Sequence, residues 1–284
     1  MAYASVYLIW GSTYLAMHIA LETLPPFVLA SARFFAAAVI ILVVAAVTGH
    51  SLPTRTQWAR AAVVALFLLV GGNTAVLWAL KTVPSGVAAL LVSTTPLWLA
   101  ILARSVNART ALGIALGLVG VAILVGPSAF AGAGRTDPLG AVVLVLASLS
   151  WAIGSLIQRA GDAKPLVATG AQMLCGGVML GALALGSGEL HDAQAIAHAS
   201  ARSWLAVAYL CVFGSLIGFT SFAWLMNHDD PARVATYAYV NPIVAVLLGA
   251  LLAHEPLSPR VAVAGAVIIS GVIAIVSAPK RQAL

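Results

Sequence analysis

Long, almost uninterrupted apolar runs constrain the fold of this sequence more than any other feature. A helix needs about 20 apolar residues to cross the hydrocarbon core of a bilayer, and ten runs between charged or Pro/Gly-marked breaks approach that length. Because backbone polar groups in lipid must be paired within the segment, we expect these runs to be helices. The ten predicted spans, numbered 1 to 10, cover about 3–21, 27–47, 58–80, 84–103, 110–126, 138–159, 166–186, 203–226, 231–252 and 260–278.

Composition removes the competing classes of protein. Of the 284 residues, 62% are hydrophobic and only 8% are charged, whereas soluble domains are about 25% charged. The mean hydropathy is +1.06. So few polar residues cannot cover a water-facing surface, which excludes a soluble domain, a disordered chain and a nucleic-acid-binding protein. The predicted fold class is therefore an all-α polytopic membrane protein.

The sequence also repeats itself, because residues of four spans recur between 139 and 151 positions later. The repeated pairs include Trp10 and Trp151, Arg33 and Gln172, Trp58 and Trp204, Trp78 and Trp224, and Pro96 and Pro242. Each half contains five spans, an odd number, so the second half must enter the membrane from the opposite face. We predict two inverted repeats, residues 1–135 and 136–284, a plan shared by many secondary transporters.

Lys and Arg residues are distributed unequally between the two predicted faces. With the N-terminus in the cytoplasm, nine fall on the inner side and four, Lys81, Arg135, Arg202 and Arg260, on the outer side. The inner nine are Arg55, Arg60, Arg104, Arg109, Arg159, Lys164, Arg233, Lys280 and Arg281. Because cytoplasmic loops carry the excess of positive charge, we predict that both the N- and C-termini are cytoplasmic.

Several spans carry short sequence motifs. They are Trp10-Gly11-Ser12-Thr13-Tyr14, Pro26 with Arg33, Pro84-Ser85-Gly86-Val87-Ala88-Ala89, Ala238-Tyr239-Val240-Asn241-Pro242, and Glu255-Pro256-Leu257-Ser258. Together they resemble the EamA family of the drug/metabolite transporter (DMT) superfamily, and within it the YddG-like exporters. The resemblance covers the whole chain. It implies a ten-helix carrier of the bacterial inner membrane that exports amino acids or related metabolites. The segment Leu252–Pro256 departs from the repeat, since the connection after span 4 lacks an equivalent.

Two prolines mark a candidate substrate site. Pro96 and Pro242 fall near the middle of spans 4 and 9, where a proline removes a hydrogen bond and frees a carbonyl about one turn earlier. Polar residues precede both prolines: Ser93 and Thr94 in one half, and Tyr237, Tyr239 and Asn241 in the other. We expect a central cavity between spans 4 and 9, flanked by spans 1 and 6. The alternative is a pair of simple kinks with hydroxyl groups bonded back to the helix.

Three tryptophans at membrane depth are further candidates for substrate contacts. Trp10 and Trp151 are related by the repeat, whereas Trp98 has Val244 in the corresponding place. An unmatched aromatic residue two positions after the kink could form an apolar wall for a substrate side chain. Filling of the helix core is the alternative for each of the three.

Polar and charged residues inside the spans are few. Arg33, at the seventh position of span 2, is the arginine or lysine that lies deepest within a span, and Gln172 takes its place in the second half. Arg33 could pair with a substrate carboxylate, although a structural role, with the side chain reaching the outer interface, is the favoured interpretation. His18 could titrate near neutral pH or simply pack. No acidic residue falls mid-span, so proton coupling has no obvious carrier.

The function predicted from these features is the export of amino acids, neutral or aromatic, by alternating access at a midplane site. The alternatives are export of cationic drugs or other metabolites, or a membrane-embedded enzyme. An enzyme would need clustered catalytic residues at membrane depth, so we predict none. No metal site or cofactor is predicted. The expected partners are a small-molecule substrate and the bilayer. Small-residue seams such as Gly113-x3-Gly117 would allow a dimer, but intramolecular packing uses them first, so we expect a monomer.

Overall fold

The computed structural model describes residues 1–79, 82–83, 88, 91–125, 137–190, 196, 198–253 and 259–278. Within these residues the ordered structure is entirely helical. Ten helices follow in chain order: α1 (Ala2–Leu21), α2 (Pro26–Val47), α3 (Arg55–Ala79), α4 (Thr95–Leu102), α5 (Ala108–Val125), α6 (Pro138–Arg159), α7 (Pro165–Gly186), α8 (Ala201–His228), α9 (Tyr237–Ala253, after the single turn Pro231–Val234) and α10 (Pro259–Val276).

Nine of the helices in the described part of the chain are long and apolar enough to cross a membrane. Each coincides with one of the predicted spans, so the predicted all-helical membrane fold is confirmed. The exception is span 4, of which α4 is the C-terminal part. The first part of span 4, the motif at 84–89 apart from Ala88, and the motif at 255–258 lie outside the described residues, as do Lys81, Arg135, Lys280 and Arg281.

Local sequence signals explain where the helices begin. Proline occupies the first helical position of α2, α6, α7 and α10, where its missing N–H would have had no partner. Side chains also accept hydrogen bonds from free N–H groups at the starts of α3, α6 and α8. Thr54 and Gln57 form a capping box on α3, Asp137 accepts from Leu139 N and Gly140 N of α6, and Ser200 accepts from Ser203 N of α8.

The helices pack in pairs that would exchange under the predicted repeat. Helix α2 packs along α7, and α5 packs along α10. Helix α1 contacts α8 and α9, and its repeat counterpart α6 contacts α3 and α4. The glycine seams lie inside this bundle: Gly113 and Gly120 face α10, Gly177 faces α2, and Gly214 faces Arg33. Large apolar side chains such as Val43, Leu112 and Ile273 remain exposed on the outside, which is the surface that lipid would solvate.

Both repeats contain a wide, π-type helical segment in the corresponding helix. It covers Leu66–Thr74 in α3 and Leu210–Phe219 in α8. A π turn pairs each N–H with the carbonyl five residues earlier and often occurs at functional sites. In α3 the Thr74 hydroxyl also donates to Leu69 O, at 2.8 Å. The widened backbone is thus a shared feature of the two halves.

Hydrogen bonds between helix ends define two faces of the bundle. At the face where α1 begins, here called the N-face, Tyr3 OH donates to Asp229 and Arg60 Nη1 donates to Ala160 O. At the opposite face, Glu189 accepts from Phe27 N at the start of α2. Also at the opposite face, Thr23 Oγ1 donates to Ser203 Oγ of α8. Each helix end therefore belongs to one of two opposed surfaces.

Candidate central cavity

A cavity in the middle of the bundle encloses about 620 Å³ up to its opening. Its walls come from α1, α3, α6 and α9, together with the residues around the start of α4. The lining residues are Trp10, Thr13, Met17, Gly72, Asn73, Val76, Val92, Thr95, Ala147, Ser148, Trp151, Tyr237 and Asn241. No charged side chain occurs among these described wall residues, so the cavity presents hydroxyl, amide, indole and apolar groups.

An aromatic cluster forms the floor of the cavity on its N-face side. The rings of Trp10 and Trp151 meet edge to face with centroids 5.6 Å apart, and Tyr237 lies 5.0 Å from Trp10. Phe219 and Phe222 of α8 pack against both tryptophans. Since α8 runs towards the N-face, Phe222 lies on that side of the cluster. Edge-to-face packing of this kind stabilises the closed layer beyond its apolar burial.

Glycines in the two wide segments hold the two tryptophans. A Cβ built on Gly218 would lie 2.4 Å from Trp10 Nε1, and one on Gly72 would lie 2.9 Å from Trp151 Cε3. Gly72 and Gly218 are repeat partners, as are Trp10 and Trp151. Because only glycine permits this approach of the indole to the helix backbone, both contacts depend on the absence of a side chain.

The two indole N–H groups differ in their partners. Trp10 Nε1 donates to Gly214 O at 3.1 Å, a carbonyl within the wide segment of α8. Trp151 Nε1 is buried and has no hydrogen-bond partner among the described residues. Asn73 Oδ1 is also buried and accepts no hydrogen bond from a described residue. A donor and an acceptor without partners therefore belong to residues that line the cavity.

Polar contacts between α1 and the start of α9 close the N-face beneath the aromatic floor. The hydroxyls of Tyr7 and Thr236 are 2.6 Å apart, and Tyr3 OH donates to Asp229 Oδ2 at 3.1 Å. Arg233 lies 3.9 Å from Asp229 and donates to Ala278 O at the end of α10. These contacts join α1, α9 and α10 at one end of the bundle.

Each of the two prolines leaves the carbonyl four residues earlier without its helical N–H partner. A hydroxyl group donates a hydrogen bond to that carbonyl instead. Pro242 lies inside α9, and Ala238 O, four residues earlier, accepts a hydrogen bond from Ser93 Oγ at 3.1 Å. In the first half, Val92 O accepts from Thr95 Oγ1 at 2.7 Å. Pro96 lies in the first turn of α4 after a turn at 93–94, so it begins a helical segment instead of bending a continuous one. The helix before α9 is interrupted at 235–236, ahead of Pro242.

Four of the eight predicted substrate-contact residues line the cavity, namely Trp10, Trp151, Tyr237 and Asn241. The amide nitrogen of Asn241, in the orientation that satisfies both groups, donates to the carbonyls of Tyr7 and Tyr237 at 3.1 Å. Asn241 thus holds α1 against α9 while its side chain faces the cavity.

The other four predicted contacts lie behind the wall. Trp98 Nε1 donates to Ser148 Oγ at 3.1 Å, and Thr94 Oγ1 is 2.9 Å from the same atom. Ser93 is bonded to α9, and Tyr239 is fully buried against Gly117 of α5. Trp98 and Thr94 therefore meet the cavity only through Ser148.

The three predicted polar or coupling residues are placed apart from one another. Arg33 is 2% exposed, and its Nε donates to Ser215 Oγ of α8 at 2.8 Å, so it lies within the bundle and does not reach the interface. Gln172 lines a separate cavity at the N-face. His18 is exposed on α1. None of the three belongs to the described wall of the central cavity.

Sequence comparisons identify one family of membrane transporters. The profile of the EamA-like transporter family matches residues 2–126 and 138–277. The uncharacterized inner membrane transporter YedA of Escherichia coli (strain K12) is 37% identical over 275 residues, which cover 95% of this chain and 87% of YedA. This chain belongs to the EamA-like transporter family. The predicted family is confirmed, and because its members are transporters, so is the prediction that the chain is not an enzyme.

This EamA-like transporter is also similar to a second transporter and to a solved structure. The uncharacterized transporter sll0355 of Synechocystis sp. is 26% identical, with 89% of this chain and 82% of that protein covered. A solved crystal structure of a protein superposes with a TM-score of 0.77 at 20% identity, covering 96% of this chain and 94% of that one. The structural likeness shows the shared helical fold.

Sequence reasoning missed Asn73 and Ser148 of this EamA-like transporter. Asn73 follows Gly71 and Gly72 in an apolar span, and that small polar interruption was the available signal. Ser148 lies one turn from Trp151 on α6, where it accepts from Trp98 and lines the cavity. Residues one helical turn apart share a face, so the choice of Trp151 already pointed to Ser148.

Proposed function

We propose that this chain exports amino acids, neutral or aromatic, across a bacterial inner membrane through the central cavity. The observation that carries the proposal is the uncharged, aromatic-floored cavity with a partnerless donor, Trp151 Nε1, and a partnerless acceptor, Asn73 Oδ1. An amino acid is a zwitterion without net charge. Its ammonium group needs acceptors and its carboxylate needs donors, and a buried polar site is stable only when such groups are paired.

The cavity wall supplies one polar group for each end of the substrate. Asn73 Oδ1 accepts from the ammonium group, with the Thr95 and Ser148 hydroxyls in the same wall. Trp151 Nε1 donates to the carboxylate. An apolar or aromatic side chain then packs on Trp10 and Tyr237, whose rings form the floor. Of the remaining predicted contacts, Trp98 and Thr94 position Ser148, whereas Ser93 and Tyr239 position α4, α5 and α9.

Alternating access is the proposed mechanism, and the repeat supports it. The two family matches, 2–126 and 138–277, follow the proposed inverted repeats 1–135 and 136–284. The paired helix contacts and the two wide segments also exchange under that repeat. The surplus of basic residues at the N-face favours a cytoplasmic N-face. The closed aromatic floor then belongs to a state in which the cavity faces away from the cytoplasm, since Met17 and Val76 line its opposite side.

The location in the inner membrane follows from the relative YedA, which is named an inner membrane transporter. The described cavity wall offers no carboxylate to carry a proton. We therefore propose transport driven by the substrate's own gradient. The glycine seams are used within the bundle, which supports a monomer.

Transport in proteoliposomes tests the proposal. Vesicles containing the purified protein should release labelled neutral and aromatic amino acids faster than empty vesicles, at equal rates with and without a pH gradient. Asn73→Leu should reduce this rate about tenfold or more, because the ammonium group loses its acceptor. Flat traces across the amino-acid panel would reject the substrate class.

Export of an organic cation is the second candidate, favoured by the aromatic floor, because aromatic rings attract cations. The described wall gives a cation no negative partner, and it leaves Trp151 Nε1 unpaired. Competition separates the two candidates. Unlabelled amino acids should inhibit transport, and tetraalkylammonium ions should not.

A further inference from the structure

A second cavity lies at the N-face and encloses about 450 Å³ up to its opening. It is formed by α3, α7, α8, the end of α6 and the connection between α6 and α7. None of the described residues lines both this cavity and the central one. The proposed transport mechanism does not involve this second cavity.

Two buried glutamines form polar parts of its wall. Gln158 and Gln172 are 6% and 5% exposed, and both line the cavity. Gln158 Oε1 is completely buried and accepts no hydrogen bond from any described residue. The rest of the wall combines apolar side chains such as Ala61 with the amides of Gln57 and Asn227. A buried carbonyl oxygen that accepts no hydrogen bond favours a ligand that brings an N–H or O–H donor.

The first repeat shows what kind of donor fits the corresponding place. Gln172 corresponds to Arg33, seven residues after the proline that begins each helix. In the first half, the Arg33 guanidinium lies inside the bundle and donates to Ser215. The second half has a shorter, neutral side chain there and a cavity instead. The two halves thus differ by one buried cationic donor.

The mouth of the cavity carries one charge of each sign. Asp162 and Arg60 both line it and both are exposed, and Arg60 Nη1 is held by Ala160 O at 2.6 Å. The carboxylate attracts an entering ammonium group, and the fixed guanidinium can pair with an anionic group attached to it. The wall therefore matches a zwitterion better than a simple cation.

We propose that this N-face cavity binds the ammonium group of a zwitterionic headgroup-like ligand, with its phosphate or carboxylate held at Arg60. Gln158 Oε1 accepts from the ammonium group, and Gln172 flanks it. The ligand chemistry is a primary ammonium with an anionic group a few atoms away. Either an aminophospholipid headgroup or a free zwitterion supplies that chemistry. The proposal does not depend on the transported substrate.

Matched pairs of compounds test the need for N–H donors. Binding is measured by calorimetry with O-phosphoethanolamine and O-phosphocholine on the purified full chain. Glycine and glycine betaine are compared on the full-length Asn73→Leu variant, in which the proposed central site is impaired. Each pair has the same charges, but the quaternary member has no N–H group. The primary amine of at least one pair should bind about tenfold more tightly, as expected for a hydrogen bond from a charged donor. Equal affinity within both pairs, with no lipid preference, overturns the proposal.

Lipid nanodiscs distinguish the two sources. If the ligand is a lipid headgroup, the thermal midpoint should be higher in phosphatidylethanolamine than in phosphatidylcholine nanodiscs. If it is a free zwitterion, the midpoint should respond to the soluble primary amine in either lipid. Each result supports the site, and a midpoint that responds to neither overturns it.

Variants connect the selectivity to Gln158. Gln158→Leu should abolish the preference for the primary amine, whereas Gln158→Glu, which keeps an acceptor, should retain it. Asn73→Leu in the central cavity is the matched control and should leave the preference for O-phosphoethanolamine over O-phosphocholine unchanged. Because Asn73→Leu impairs amino-acid transport under the proposed function, failure of the two proposals is distinguishable. A preference that survives Gln158→Leu overturns the assignment.

Discussion

The two sides of the aromatic floor are built from equivalent helices but differ in how they are filled. Towards the opposite face, α3 presents Asn73 and Val76 to the cavity. Towards the N-face, α8 presents Phe219 and Phe222, the repeat counterparts of those two residues, and both pack into the core. Both helices contain a wide segment, so we attribute the difference between the two sides to these side chains.

The tyrosine contacts strengthen this difference. Tyr7 of α1 corresponds to Ser148 of α6, and the larger side chain reaches Thr236 across the N-face. Ser148 instead borders the cavity. Under the proposed alternating-access mechanism, an inverted repeat with identical halves would have no preference between its two states. We therefore expect differences at paired positions to set the preference, and the following predictions test this from the largest expected effect to the smallest.

Gly218→Ala should have the largest effect. The added Cβ would lie 2.4 Å from Trp10 Nε1, so Trp10 must move and the floor must repack. We expect a loss of about 1–3 kcal/mol in the free energy of unfolding and a large loss of transport, measured by thermal denaturation and proteoliposome flux. Gly72→Ala, with a 2.9 Å approach to Trp151, should be milder. Gly186→Ala meets no described atom within 4 Å and should leave both measurements unchanged.

Exchanging the paired side chains should reverse the preference. Phe219→Asn with Phe222→Val removes the two rings that fill the N-face side. A cysteine at Ala238, the counterpart of cavity residue Val92, should then react about tenfold faster with an impermeant maleimide added at the N-face. The background would carry alanine at Cys175 and Cys211.

The reciprocal exchange is the control for this prediction. Asn73→Phe with Val76→Phe fills the other side, so a cysteine at Val92 should react more slowly from the opposite face. If both double substitutions change the reactivity of both cysteines in the same direction, general loosening of the bundle is the cause. That result would contradict the proposed difference between the two sides of the floor.

Trp10→Phe and Trp151→Phe should have the smallest effects. The first should mainly lower stability, and the second should mainly lower the affinity for the substrate. Trp10 loses its bond to Gly214 O, so unfolding should become easier by about 1 kcal/mol. Trp151 loses no bond to any described residue, so its variant should lose only ring packing and less stability than Trp10→Phe, while amino-acid affinity falls. Equal losses of stability in the two variants would contradict the different roles given to the two indoles.

The boundaries of the fold were predictable because the sequence marks them chemically. Pro26 and Pro165 begin helices where predicted, and the loops between spans are short. Four of the eight predicted substrate-contact residues line the cavity, and their role in substrate binding stays a prediction. Tyr239 faces away because it lies between Tyr237 and Asn241, and on a helix residues four apart share a face while the residue between them does not.

The rest of the site depended on tertiary packing. The position of Asn73 follows from the wide segment of α3, which apolar periodicity does not reveal. Trp98 turns to Ser148 because α6 packs beside α4. Whether Arg33 reached the interface or stayed inside depended on Ser215 of a distant helix. The last two outcomes were set by contacts between spans, and the first by a change of helix type within a span; apolar periodicity reveals neither.

The wide segments of α3 and α8 have a consequence for how this protein should be perturbed. Within them, Gly214 O accepts an indole N–H and Leu69 O accepts a threonine hydroxyl, so backbone oxygens contribute to the structure around the cavity. Part of the wall's chemistry is therefore encoded in helical register, which side-chain replacement leaves intact. Inserting or deleting one residue in Leu66–Thr74 would rotate everything beyond it by about 100°. A scan of single-residue insertions and deletions therefore tests the contribution of helical register, whereas an alanine scan does not.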